Sequence, residues 1–185
     1  TDESSAVDAS TWHADADGDG YGSAAVSTVS CSVPSGYIAD ATDCDDTSAS
    51  VSPGGTETCN GVDDNCDGST DESSAVDAST WYADADGDGY GNPAVSTVSC
   101  SAPSGYTADA TDCDDTSASV SPVDTETCNG VDDVCDSSTD ESSAADASTW
   151  YLDSDGDGYG SAAVSTVSCS APSGYTANNT DCDDT

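Results

Sequence analysis

The sequence predicts a tandem array of small units, mostly loops and short β-strands. Cross-links take the place of a large core, and the units form a linear rod or filament. Three observations predict this. The 185 residues repeat with a period of 69: TDESSA begins at Thr1, Thr70 and Thr139, and the tryptophans are Trp12, Trp81 and Trp150. Large apolar residues are scarce: Phe and Met are absent, Leu152 is the only leucine and Ile38 the only isoleucine. The chain also carries 10 Cys and 38 acidic residues with no Lys or Arg, for a formal charge of −38. Acidity and low hydrophobicity alone would favour disorder. Small units without a core escape it with disulfides or metal ions.

The repeats are 1–69, 70–138 and a partial third, 139–185; the first two are identical at 60 of 69 positions. The terminal DCDDT recurs inside the earlier units at Asp43–Thr47 and Asp112–Thr116, so the sequence reads as a window on a longer array. There is no initiator Met and no recognisable leader, which reads as mature or partial material.

Composition excludes several functions. Nucleic-acid binding needs cations to displace counterions from phosphate, and none is present. Anionic membranes would repel the chain, and no apolar run is long enough for membrane insertion. An enzyme is the least expected class: His13 is the only histidine, it is not repeated, and no base accompanies the many serines. His13 reads as a surface or strand residue. One Trp per unit reads as a core anchor more simply than as a sugar-stacking platform.

Within each unit the order is constant. A polar lead-in, TDESSAVDAS in the first two units, precedes the tryptophan and an acidic loop, Asp15–Gly22. An alternating segment follows, AAVSTVSCS in unit 1, which predicts a short strand of period two. PSGY is a turn. TDCDDTSASVSP, TETCNGVDD and a final CD complete the unit, with no helical stripe beyond single turns. The small cores are expected from Trp12, Tyr21, Tyr37, Val26, Val29 and their repeats.

The acidic loop carries the clearest chemistry. Asp15, Asp17 and Asp19 occupy alternate positions 1, 3 and 5, Gly20 allows the bend, and Tyr21 offers a backbone carbonyl. The pattern recurs as Asp84, Asp86, Asp88 and Tyr90, and as Asp153, Asp155, Asp157 and Tyr159. Three carboxylates this close repel one another unless a divalent ion lies between them. Position 12 of an EF-hand should be Glu, but here it is Val26, Val95 or Val164. The loops therefore resemble EF-hand-like and thrombospondin type 3 calcium loops more than a sensor EF-hand.

A second loop runs through Asp63, Asn65 and Asp67, with the Ser69 carbonyl and Asp71 or Glu72 further round. Its copy keeps Asp132 and Asp136 but has Val134 and Ser137 where unit 1 has Asn65 and Gly68, which predicts weaker binding or a backbone ligand. A third cluster comprises Asp43, Asp45 and Asp46, repeated as Asp112, Asp114 and Asp115 and as Asp181, Asp183 and Asp184. It either completes the first loop or begins a helix, where acids favour the dipole.

No CxxC is present, so a zinc knuckle is not expected. Nearest-neighbour bridges are expected: Cys31–Cys44, Cys59–Cys66, Cys100–Cys113, Cys128–Cys135 and Cys169–Cys182. The first type would carry the DCDD carboxylates to the acidic loop; the second would clamp the second loop and bring Glu57 or Glu126 beside it. Ten cysteines in so polar a chain point to an oxidising, extracellular setting.

The run from Asp43–Asp46 through Pro53, Gly54, Glu57, Cys59, Gly61, Asp63, Asn65, Cys66, Asp67 and Gly68 resembles the MopE-type metal-binding repeats of bacterial secreted and surface proteins. The second unit departs from the pattern at Val123, Asp124, Val134 and Ser137. The resemblance implies a metal-binding, bacterial, cell-surface or extracellular protein, and one family member is associated with copper. The residues themselves argue for Ca²⁺: Met is absent, His is single, and paired cysteines would leave only oxygen donors.

The expected cofactor is Ca²⁺, about two per full repeat with room for a third. The expected function is an extracellular calcium-binding structural repeat forming a rigid rod or fibril. Its partners would be like repeats in the same or neighbouring chains and covalent glycans on Ser and Thr. The alternatives are a calcium-dependent adhesin stalk or ligand-binding spacer and, third, a soluble calcium store. Asn178-Asn179-Thr180 is a formal N-linked sequon. Intact mass should therefore fall on chemical deglycosylation; a native mass equal to that of the bare chain rejects the glycans.

Overall fold

The computed structural model describes residues 7–183. Among them there is no helix; nine short strands form three sheets of three. The strands are β1 (Ser10–Ala14), β2 (Ser27–Ser30), β3 (Tyr37–Ile38), β4 (Ser79–Ala83), β5 (Ser96–Ser99), β6 (Tyr106–Thr107), β7 (Ser148–Leu152), β8 (Ser165–Ser168) and β9 (Tyr175–Thr176). The sheet orders are β2-β1-β3, β5-β4-β6 and β8-β7-β9, so the strand bearing the tryptophan is central each time. Cα proximity groups the chain into two compact units, 1–80 with 97–103, and 81–96 with 104–185.

The β1–β2 hairpin is antiparallel, Ser10 opposite Ser30 and His13 opposite Ser27, while β3 lies on the other side of β1 with Ala14 opposite Tyr37. The half-buried Trp12 ring donates its Nε1 proton to the Ser30 carbonyl at 3.1 Å, and Trp150 does the same to Ser168 at 2.9 Å. The indole thus ties one strand of the hairpin to the end of the other while its ring stays half-buried. His13 is a strand residue whose Nδ1 lies 3.1 Å from the Ser23 carbonyl oxygen.

Expected core residues are only partly inside. Trp12, Tyr21 and Tyr37 are half-buried, but Val26 and Val29 are exposed. The period-two reading of β2 is correct and its face is inverted: Thr28 and Ser30 turn inward and Val29 outward. Among the described residues the buried apolar side chains are Val51, Ala75, Val120 and Ala144, and the buried polar ones include Asp43, Ser52, Glu57, Asp64 and their repeats. Hydrogen-bonded loops therefore supply the interior that apolar side chains do not.

The cysteine pairing differs from the expected nearest-neighbour scheme. The bridges are Cys44–Cys66, Cys59–Cys100, Cys113–Cys135 and Cys128–Cys169. None of Cys31–Cys44, Cys59–Cys66, Cys100–Cys113, Cys128–Cys135 or Cys169–Cys182 forms.

Strand direction explains this. β2 carries Cys31 towards the Ser10 end of β1, while β3 and Asp43 return beside its Ala14 end. Those ends are four strand steps apart, about 13 Å, beyond the roughly 7 Å Cα limit of a disulfide. Cys59 faces the following lead-in, where its N–H donates to Asp77 Oδ1 at 2.8 Å, and Cys100 lies against the Glu72 carbonyl. The Cys59–Cys100 bridge thereby joins residues on either side of the sequence-repeat boundary at 69/70.

One substitution between repeats leaves strain. Gly68 has φ 93°, and Ser137 at the same loop position has φ 74°, a left-handed backbone that a side chain disfavours. Ser137→Gly should raise stability by about 1 kcal/mol, read as a higher urea midpoint; an unchanged or lower midpoint contradicts the strain.

Candidate metal centres

Each acidic loop is built by its own carboxylates. In the first, one oxygen of Asp15 accepts from Gly18 N–H at 2.8 Å, one of Asp17 from Asp19 N–H at 3.2 Å, and one of Asp19 from Tyr21 N–H at 2.8 Å. The copies repeat this: Asp84, Asp86 and Asp88 accept from Gly87, Asp88 and Tyr90, and Asp153, Asp155 and Asp157 accept from Gly156, Asp157 and Tyr159. Asp17, Asp19, Asp86 and Asp88 spend one carboxylate oxygen on the turn and leave the other enclosed, whereas Asp84 and Asp153 use both, their Oδ2 atoms accepting from Gly89 and Gly158 N–H at 3.2 and 3.1 Å.

The DCDD segment is brought to this loop by the backbone. Asp43 N–H donates to the Gly22 carbonyl at 3.1 Å, and Ser23 and Asp43 form an isolated parallel bridge. Gly22 is required there: a Cβ would lie 2.6 Å from the Asp40 carbonyl oxygen. Ala16 N–H then donates to Asp46 Oδ1 at 2.6 Å, and in the second repeat Ala85 N–H donates to Asp115 Oδ1 at 2.7 Å. No helix begins at the segment; it is a turn.

Ligand-capable oxygens of Asp15, Asp17 and Asp19 lie within 4.8 Å of one another, as do those of Asp17, Asp43 and Asp46 and of Asp84, Asp86 and Asp88. Asp45 and Asp114 do not turn inward. They are exposed, and each accepts from the following threonine hydroxyl at 2.6 Å. In the third repeat Asp181 N–H donates to the Gly160 carbonyl at 3.2 Å and Asp183 N–H to Asp181 Oδ1 at 2.9 Å, while Asp184 lies outside the described residues.

The Oδ2 atoms of Asp17, Asp19, Asp43, Asp86, Asp88, Asp112 and Asp181 are enclosed and accept no hydrogen bond. Asp43 is only 7 % exposed and Asp112 only 3 %. Burial pushes both carboxyls above their ordinary 3.8, and the charges of Asp19, Asp17 and Asp46, or of Asp88, Asp86 and Asp115, push the same way. Enclosed anionic oxygens need compensation, and the chain has no Lys or Arg to give it. A hard divalent cation fits this donor set.

The second loop divides its labour differently from the sequence expectation. Asp63 accepts from Asp67 and Gly68, Asn65 from Asp67 at 2.9 Å, and Asp67 from Ser69 at 2.9 Å. Asp132 and Asp136 repeat this in the second unit, with Ser137 in place of Gly68.

Glu57, expected beside the ion, is spent on backbone: its carboxylate accepts from the N–H groups of Asp64, Asn65 and Asp71. Glu126 likewise takes those of Asp133 and Asp140. Asp64 and Asp133 also stabilise the turn. The Thr58 hydroxyl, Asn60 amide and Thr58 N–H hold Asp64 below the ordinary 3.8, and Asn129 and Thr127 do so for Asp133. That support is present above pH 3.8 and is lost as pH falls through the depressed value.

The oxygens left enclosed without a partner at the end of this loop are both carboxylate atoms of Glu72 and of Glu141. The TDESSA lead-in carried that signal, because it places a Glu five residues past Asp67 and Asp136. Each glutamate belongs by sequence to the next repeat.

Substituting Asp43→Asn together with Asp112→Asn should have opposite effects on the two states of the protein. The metal-free chain gains stability at neutral pH, because an ionised group with a raised folded pKa opposes folding above its unfolded value. Divalent-ion affinity at the first-loop sites falls at least about tenfold. Melting with and without the ion checks this; affinity left unchanged removes these carboxylates from the site.

Residues 43–72 and 112–141 both match the family model Cu-binding_MopE, whose description reads "Putative metal-binding motif". No curated protein and no solved structure matches the chain. The matched segments run from Asp43 to Glu72 and from Asp112 to Glu141, spanning a carboxylate enclosed at the first loop and the glutamate that ends the second. The chain thus contains two tandem segments that match the model of the MopE "Putative metal-binding motif".

Proposed function

We propose that this protein is an extracellular calcium-binding structural repeat, a stretch of rigid rod or fibril in which bound Ca²⁺ and disulfides replace an apolar core. The carrying observation is the set of enclosed, unpartnered carboxylate oxygens in a chain without Lys or Arg. Ca²⁺ takes six to eight oxygen ligands in flexible geometry, which suits loops of Asp side chains and backbone carbonyls. The family name implies copper, but copper favours imidazole, thiolate and thioether. Here Met is absent, His13 is the only imidazole and half-buried in a strand, and eight cysteines are in disulfides. About two ions per full repeat follow from the two loop types, one closed by Asp43 and one by Glu72.

Four disulfides suit an oxidising compartment, and no helix among the described residues is long and apolar enough to cross a membrane. Near-identical repeats, stapled across their sequence boundary by Cys59–Cys100 and Cys128–Cys169, support a structural array over a catalytic role. In this reading the partners are further like repeats and glycans on exposed Ser and Thr.

Protease resistance and circular dichroism after chelation, then on adding Ca²⁺, Mg²⁺ or Cu²⁺ separately, test the proposal. Ca²⁺ should restore a resistant fold at about 0.1–1 mM, with Mg²⁺ weaker and Cu²⁺ ineffective. Equal resistance in chelator, or protection by Cu²⁺ that Ca²⁺ cannot reproduce, overturns it.

A further inference from the structure

We propose that the Cys44–Cys66 bridge, and its copy Cys113–Cys135, couples the two ion loops of a repeat so that filling one raises the affinity of the other. The inference rests on the metal-binding reading above. The half-cystines stand inside the two loops. Cys44 lies between Asp43 and Asp45, and Asp43 is the most enclosed carboxylate of the first centre. Cys66 lies between Asn65 and Asp67, whose side chains shape the second loop.

Their Cα atoms are 5.6 Å apart, Cys44 N–H points at Cys66 Sγ at 3.3 Å, and Cys44 Sγ is 3.6 Å from the Asp63 carbonyl oxygen. The copy has the same geometry: Cα atoms 5.5 Å apart, and Cys113 N–H 3.2 Å from Cys135 Sγ. Cys66 and Cys135 adopt φ of 56° and 55°, a left-handed backbone that non-glycine residues hold only when their surroundings enforce it.

The coupling follows from shared ordering. An ion that draws Asp43 onto Asp17 fixes the backbone on both sides of Cys44. Through the bridge it fixes Cys66, and with it the spacing of Asn65 and Asp67. The second ion then meets a loop whose conformational cost has been met, which is positive cooperativity without contact between the ions. Direct repulsion between the ions has the opposite sign, and at 0.15 M salt it is screened over about 8 Å. By linkage the effect is reciprocal.

A mutational cycle on the full chain, titrated with Ca²⁺ by calorimetry in 0.15 M salt, tests this. Asp17→Asn with Asp86→Asn disables the first loops of both full repeats and leaves both bridges intact. The remaining second-loop sites should then bind about tenfold more weakly. Cys44→Ser, Cys66→Ser, Cys113→Ser and Cys135→Ser together remove the bridges. In that background the two Asn substitutions should cause no further loss at the second loops.

Second-loop affinity left unchanged in the bridged Asn variant overturns the coupling, and this arm holds even where the serine variant does not fold. A tenfold loss that persists without the bridges assigns the coupling elsewhere and overturns the role of the cysteines. No Ca²⁺ heat in the parent chain overturns the metal reading itself, an outcome distinct from the other two.

Discussion

A carboxylate closed off from water needs a counter-charge, and this chain has none of its own to offer. With 38 acids and no Lys or Arg, every enclosed Oδ2 at Asp17, Asp19 and Asp43 depends on something from solution. The rest of the architecture follows from that dependence. Buried positions are mostly polar, Val51 and Ala75 being small apolar exceptions in the first compact unit. Order therefore comes from Asx turns, from Glu57 collecting backbone amides and from covalent bridges, arranged around carboxylate oxygens that no group of the protein balances.

The central strand organises these parts. β1 carries Trp12 over the hairpin, and its Ala14 end meets both the acidic loop and the returning Asp43 segment. Two separate stretches of sequence thus reach one site through backbone hydrogen bonds, with no disulfide needed to deliver them. The bridges instead run from the first loop's second segment to the second loop, and from there to the next sheet-bearing segment. The structural period is consequently displaced from the sequence period. Glu72 stands in the lead-in of the next sequence unit, and its enclosed carboxylate lies at the end of the loop that precedes it, one of the two places the sequence offered for it.

Much of this was legible. Alternate aspartates with glycines between them favour tight turns closed by their own carboxylates, so the position of the acidic loops could be read directly, as could the short strands and, among the described residues, the lack of helices. Long-range relations were not legible. Cysteine pairing depends on which end of β1 each neighbour reaches, and strand direction is not visible in spacing. Val29 and Thr28 alternate as a strand should, but alternation does not say which face is covered. Glu57 was the expected ligand and Glu72 only an alternative to Asp71; the amides donated to Glu57, and their absence at the enclosed Glu72 carboxylate, reverse that order. Asp45 looked equivalent to Asp43 until Thr47 claimed it.

The interleaving of the two bridge types also governs what tension can do. Cys44–Cys66 encloses a span that overlaps the span enclosed by Cys59–Cys100. A pulling force crosses from Cys44 to Cys66, runs back seven residues to Cys59, crosses to Cys100 and advances thirteen residues to Cys113, where the pattern restarts. At about 3.5 Å per residue, the fully taut tether is roughly 80 Å for each period, against roughly 240 Å for an uncrosslinked chain of that length. About two-thirds of each period's extended length is locked behind sulfur, so the strand can be strained hard and still reel out only a short leash.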